Sequence, residues 1–287
     1  MRRVALSGLL LIVIIGMVLS AYVPVIGVKV DVASKGRPPW KPPPPGKEKE
    51  GGAATGVVSP PPRPKHRWAL IIGIADYPGT GDDLKYADDD ARDLNKTLVE
   101  RYGYQVNHIK VLIDDEATKS GILTAIAWLR DSEGPGDEVV FYYSGHGDRG
   151  VKQDADEEIT DEGIVPYDVG VTGLIWDGDL ATEFSTYNTT RFFIGFDACY
   201  AGGFDDLAGN GRVICMSSSQ NKVSYEGDAW QNGEFTYYFV EQGMYNRLAD
   251  ANGDTHVTVE EAFDYAKANC RYDDPVINDQ LTNDMLL

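Results

Sequence analysis

Val139-Val-Phe-Tyr-Tyr-Ser-Gly-His-Gly147 and Phe192-Phe-Ile-Gly-Phe-Asp-Ala-Cys-Tyr-Ala-Gly-Gly203 decide how this chain is read. Each begins as a near-continuous apolar run, the pattern of a strand covered on both faces. Each then breaks into small residues that carry one reactive side chain, His146 in the first and Cys199 in the second, 53 positions later. Similar runs at Trp68 to Ile74, Val106 to Ile113 and Val213 to Ser217 predict three more strands. Between them Ala87, Ala91, Leu94 and Leu98 form a helical stripe, and Thr118 is placed to cap a helix whose Ile122, Ala125, Ile126 and Leu129 share a face. Alternating strands and helices predict an α/β fold with a mostly parallel central sheet. Ligands of such sheets gather beyond the carboxyl ends of the strands, where His146 and Cys199 both fall. The insertion from Asp148 to Asp161 is expected over or beside that cleft.

A free thiol with a pKa of ~8.5 is mostly protonated at neutral pH, so a nucleophilic cysteine needs a neighbouring imidazole or positive group. His146 can supply it. Singly, a glycine-flanked histidine is a loop residue and a cysteine after a strand is a small hydrophobe. Joined in this order and spacing they point to covalent catalysis. Cys215 and Cys270 lie in apolar or helical settings and read as structural, and His66 and His108 lack the strand-end setting.

Ser144 to Gly147 and Asp197 to Gly202, together with Leu70 to Tyr77 and Leu84 to Leu94, resemble segments of the caspase and metacaspase peptidases in the same order. The resemblance covers Arg67 to the end of the chain and implies a caspase-like α/β/α sandwich. It implies a thioester formed on Cys199, proton transfer by His146, and an oxyanion held by the backbone N–H groups of Gly147 and Cys199. No third orienting side chain is expected. Caspases carry glutamine two positions before the nucleophile and bind an acidic substrate side chain. This chain has Asp197 there, as metacaspases do, so the sign of the pocket is reversed and Arg or Lys is expected on the acyl side of the cut. By the same resemblance Asp90 is a second pocket acid and Ser144 its polar neighbour.

Calcium is the cofactor the resemblance implies, with Asp161, Asp177 and Asp206 as the matching ligands. Gly178 stands where the family has a second adjacent aspartate, leaving one ligand missing unless Asp179 moves in. A second calcium candidate is read from the residues themselves: Asp250, Asn252, Asp254 and Glu261 occupy positions one, three, five and twelve of an EF-hand loop, with the His256 carbonyl at seven. Thr255 replaces the usual glycine at position six, which strains the turn.

The remainder of the chain sets the context. Arg2 and Arg3 precede an apolar stretch, so residues 1–27 read as a signal peptide or a retained membrane anchor, and the protein as exported, secreted or held on the outer face of the membrane. Residues 28–66 are rich in proline and read as an extended spacer or pro-segment. Its basic residues between Lys35 and Arg67 make it a substrate for self-cleavage, and 67–287 forms the catalytic domain. The net charge of −19 argues against nucleic-acid binding and against attraction to anionic lipid. The expected partners are protein or peptide substrates, met by a monomer. Three cysteines leave one thiol over if Cys215 and Cys270 pair, a matter of geometry that sequence leaves open. Two alternatives stay open: a legumain-like or clostripain-like cysteine peptidase, and a non-catalytic, calcium-stabilised cell-surface binding domain.

Overall fold

The computed structural model describes residues 30–31 (backbone only), 64–79, 81–151, 153 and 158–287. The expected leader (1–27) and nearly all of the proline-rich spacer lie outside the described residues. In chain order the elements are β1 (Val30–Asp31), β2 (Arg67–Gly73), α1 (Ala87–Tyr102), β3 (Ile109–Ile113), α2 (Lys119–Ser132), β4 (Glu138–Ser144), β5 (Gly147–Val151) and β6 (Thr160–Ile164). They continue with α3 (Val169–Thr172), β7 (Ile175–Trp176), α4 (Asp177–Phe184), β8 (Phe192–Asp197), β9 (Arg212–Met216), β10 (Tyr225–Gly227) and β11 (Asn232–Gly233). Last come α5 (Glu234–Thr236), running on as a π-helical stretch Tyr237–Tyr245, then α6 (Val259–Asn269) and β12 (Val276–Asp279).

Six strands form the central sheet in the order β12-β9-β8-β4-β2-β3, parallel throughout except for β12. The period-2 alternation of a strand sorts its side chains into two cores. Leu70, Ile72, Phe141, Tyr143, Ile194 and Phe196 face one way, against Ile122, Ile126 and Leu129 of α2 and Phe184 of α4. Ala69, Ile71, Val140, Tyr142 and Phe193 face the other way, against Leu94 and Leu98 of α1 and Phe263 of α6. This is the three-layer α/β/α arrangement. Gly195 sits on the second face because a side chain there would meet Tyr142 at 2.7 Å.

Local signals act as their chemistry requires. Thr118 Oγ1 accepts the Gly121 N–H at 3.0 Å and starts α2. Gly103, with φ 74°, ends α1 in the left-handed region. The expected strand at Val106 begins three residues later, because Val106–His108 coil into a 3₁₀ turn that stacks the His108 ring on Trp68 at 3.9 Å.

Strand order fixes where the site lies. The chain leaves β2 through α1 to β3 on one side, then crosses through α2 to β4 on the other side of β2. The crevice beyond β2 and β4 is therefore the topological switch point of the sheet. The insertion after β4 becomes the small antiparallel sheet β5-β6-β7 beside it. All three cysteines are free thiols, so Cys215 and Cys270 do not pair.

Candidate active site

β4 and β8 are adjacent and parallel, with Ser144 paired to Asp197 at their carboxyl ends. His146 and Cys199 each lie two residues beyond that pair. The contact persists past the strands: the Gly145 N–H reaches the Asp197 carbonyl at 3.2 Å. A Cβ on Gly147 would sit 2.2 Å from the Cys199 carbonyl oxygen, so only glycine permits the approach. Sequence spacing alone could not supply this register.

Position 146 is fixed from several sides. Its N–H donates to the Tyr77 hydroxyl at 3.0 Å, its carbonyl receives the Tyr143 hydroxyl at 2.7 Å, and the Tyr77 ring lies 4.8 Å from the imidazole. The imidazole Nε2 is 2.7 Å from the Asp82 carbonyl oxygen. A carbonyl only accepts, so Nε2 carries the hydrogen, and in the neutral ring Nδ1 is the basic nitrogen. The orienting third group is thus a backbone carbonyl, which has no signature in sequence.

Cys199 receives the Ser224 N–H at its sulfur, at 3.4 Å. Tyr200, directly after it, adopts φ 60°, a left-handed conformation costly for a non-glycine residue, and its N–H is tied to the Lys222 carbonyl at 2.8 Å. Gly147 opposes Ile164 in the β5-β6 ladder. The neighbouring Val165 N–H bonds the His146 carbonyl at 3.2 Å, so the ladder leaves the Gly147 N–H unused and able to meet a developing oxyanion. Cys199 and His146 are 1% and 0% exposed, so the site is covered in this conformation. On the edge beside it, β1 pairs in parallel with β10, Val30 with Tyr225 and Asp31 with Glu226, immediately after Ser224.

The three pocket residues come together. Asp90, Ser144 and Asp197 are fully buried. Asp90 accepts the Ser144 hydroxyl at 2.6 Å and the Gly233 N–H at 2.8 Å. Asp197 accepts the Ser224 hydroxyl at 3.1 Å, and the Thr236 hydroxyl and N–H at 2.6 and 3.1 Å. A Cβ on Gly233 would lie 2.3 Å from Asp197 Oδ2, so both carboxylates meet at one glycine. Behind them Asp273 accepts from the Tyr225 and Phe235 N–H groups at 2.9 and 3.0 Å and lies 3.2 Å from the Ser224 hydroxyl, whose one hydrogen it shares with Asp197. Glu234 in turn accepts from the N–H groups of Arg271, Tyr272 and Asp273 at 2.7–2.9 Å. Glu234, Cys270 and Asp273 lie close enough to hold a metal, but these amide donors already engage both carboxylates.

A second acidic group forms beside the nucleophile's turn. Carboxylate oxygens of Glu158, Asp177 and Asp206 lie within 4.8 Å of one another. Glu162 joins them electrostatically, and a Cβ on Gly203 would sit 2.0 Å from its Oε2. Burial, followed by the neighbouring charges, raises the Glu158 carboxyl to about 7, Glu162 to about 8 and Asp177 to about 9. Asp177 and Asp206 thus meet as the sequence suggested. Asp161 falls on the other face of β6, with Oδ2 accepting the Gln153 N–H. Glu158 and Glu162 were not foreseen; the alternation of Glu162 with the buried Ile164 was the available signal. An all-oxygen donor set, with Glu162 Oε1 buried and without a hydrogen-bond partner, fits a hard divalent cation.

The loop at 250–261 is held by bonds from its side chains to its own backbone. Asp250 accepts from the N–H groups of Gly253, Asp254 and Thr255, Asn252 from Asp254, and Asp254 from His256. Thr255 takes φ 72°, the left-handed turn that glycine usually makes at position six. Glu261 closes a capping box with Thr258 on α6, at 3.1 and 3.2 Å. Among the described residues, the acids of this loop are not all within 4.8 Å of one another, though burial, with Asp254 and Asp250 nearby, raises the Glu261 carboxyl.

Residues 66–285 match the caspase domain, and the chain belongs to that family of cysteine peptidases. Metacaspase-4 of Arabidopsis thaliana is 40% identical over 148 residues, 49% of this chain and 34% of that protein. Metacaspase-1 of Scheffersomyces stipitis is 34% identical over 148 residues, 48% of this chain and 36% of that protein. Metacaspase-2 of Arabidopsis thaliana is 32% identical over 256 residues, 72% of this chain and 60% of that protein. The chain therefore spans between a third and three fifths of the length of these relatives. A crystal structure of a Geobacter sulfurreducens protein matches with a TM-score of 0.58 at 18% identity, covering 76% of this chain and 95% of that one. It shares the fold.

Proposed function

We propose that this chain is a cysteine endopeptidase that cuts after Arg or Lys, binds calcium at the Asp177 group and processes its own spacer. The observation that carries the specificity is the meeting of two buried carboxylates, Asp90 and Asp197, at Gly233 beside the nucleophile. A guanidinium or ammonium entering there would be met by opposite charge, whereas an acidic side chain would add a third like charge.

In the reaction, Nδ1 of His146 takes the proton of Cys199, and the sulfur attacks the scissile carbonyl. The oxyanion rests on the Gly147 N–H. Nδ1 returns the proton to the leaving amine, leaving a thioester, and then activates the water that hydrolyses it. Asp177, Asp206, Glu158 and Glu162 would hold calcium. Bound there, the ion supplies the positive charge that lets this group ionise together against the turn after Cys199.

Self-processing is the reading that accounts for the covered site with β1 on its edge. Arg67 is held in β2 and against Glu138, so the scissile residues are the basic ones before it, from Lys35 to Lys65. Export through the N-terminal leader and action as a monomer complete the proposal. Hydrolysis of Arg-, Lys-, Asn- and Asp-ended fluorogenic peptides, with and without calcium and beside Cys199→Ala, tests it. The expected result is Arg and Lys cleavage stimulated by calcium, with none in the variant. Preference for Asp would overturn the pocket assignment, and spacer cleavage in Cys199→Ala would remove self-processing.

A further inference from the structure

At the amino ends of the parallel strands, on the far side of the sheet from Cys199, lies a cavity of about 250 Å³. Arg67, Arg101, Arg191 and Arg247 line it, with His256 at its wall. No Asp or Glu is among the described lining residues, in a chain that carries 45 of them. Four arginines lining one small space on a protein of net charge −19 form a locally basic patch that favours a counter-charge.

The carboxylate of the final residue, Leu287, which also lines the cavity, and the nearby Glu138 offset part of this charge but fall short of four arginines. Arg67 and Arg191 share one buried carboxylate, Glu138, at 3.5 and 3.0 Å, so that pair keeps a surplus positive charge. Arg101 lies over the Tyr245 ring at 4.4 Å, and neither it nor Arg247 has an ion pair among the described residues. His256 faces Asp254 at 3.7 Å, but both are more than half exposed and screened by water. Arg247 takes φ 57° because it ends the preceding helical stretch, where the Leu248 and Ala249 N–H groups bond the Gln242 and Gly243 carbonyls. The carboxyl end of α1 at Arg101 brings about half a negative charge, too little to offset this surplus.

We propose that this cavity binds a small multivalent oxyanion, of the phosphate or polycarboxylate type, through the guanidinium forks of Arg101 and Arg247 with Arg67 and Arg191 behind them. Paired N–H donors match two oxygens of such an anion. The volume lies below the ~300–1,000 Å³ of sites for drug-sized molecules, which favours a compact ion.

Calorimetric titration of the full chain with pyrophosphate and, separately, with citrate, in low-salt calcium-free buffer, is the test. One site per chain is expected for at least one of the two, weakening as salt rises. Pyrophosphate alone would assign the phosphate type, citrate alone the polycarboxylate type, and both a general oxyanion site. Arg101→Gln and Arg247→Gln should each weaken binding by about tenfold. Both side chains are exposed, so the variants should melt like the parent without ligand. Absence of binding at millimolar anion, or unchanged binding in the double variant, would overturn the proposal.

Discussion

Replacing Glu162 with glutamine should make the calcium-free protein more stable at alkaline pH, although it removes a charged group. Burial, with Asp177 and Asp206 nearby, raises the Glu162 carboxyl from 4.5 to about 8. The native state therefore holds this proton through a range in which the unfolded chain has released it. Stability from the group is complete below about pH 4.5 and is lost as pH rises through about 8. Taken alone, the shift corresponds to on the order of 5 kcal/mol at about 1.4 kcal/mol per pH unit. Asp177 and Glu158 titrate in the same region and relieve one another by keeping protons, so removing Glu162 recovers a few kcal/mol. For a domain of this size that is a rise in Tm of about 5–10 °C. Melting followed by circular dichroism from pH 5 to 9, in chelator and in calcium, reads the effect. The parent in chelator should lose Tm toward pH 9 and regain it with calcium. Glu162→Gln should match the parent at pH 5, exceed it in chelator at pH 8.5, and respond less to calcium. A variant that melts below the parent in chelator at pH 8.5, or shows an undiminished calcium response, would refute the reasoning.

Asp197→Asn keeps an acceptor for Thr236 and Ser224 but removes charge from the pocket; kcat/KM on Arg-ended peptides should fall by about a hundredfold or more, and an unchanged value would count against the pocket. Gly203→Ala places a methyl 2.0 Å from Glu162 Oε2, so the calcium-induced rise in Tm should disappear while the fold persists, as titration in calcium would reveal. Asp273→Ala strands the Tyr225 and Phe235 N–H groups, which at about 1–3 kcal/mol each should cost at least about 2 kcal/mol in denaturant unfolding and lower kcat. Asp273→Asn should recover part of both losses, which a purely steric role for Asp273 would not predict.

The strands that build the site were legible because burial on both faces leaves nearly unbroken apolar runs, and because Gly-His-Gly and Ala-Cys-Tyr interrupt them. The stripe of α1 and the Thr118 cap were legible for the same reason: each is local. The antiparallel edge strand β12 was not foreseen, since Val276-Ile-Asn-Asp279 is short and half buried and carries no alternation long enough to read. The partner of His146 was invisible, because the Asp82 carbonyl belongs to the backbone and any residue would offer it. In the acidic group, composition found the neighbourhood but not the members. One step of strand register exchanges Asp161 for Glu162, and register is set by the pairing of β5 with β6. The loop at 250–261 keeps the expected EF-hand spacing, and its acids bond the loop's own backbone amides.

The clasp formed by Glu234 and Asp273 has a consequence for synthesis. Ser224, whose amide steadies the Cys199 sulfur, is held by a residue 49 positions later in the chain. A nascent polypeptide can thus expose both reactive side chains outside the ribosome and still lack the buttress beneath them. The buttress is complete only once Asp273, in the last tenth of the domain, has folded in.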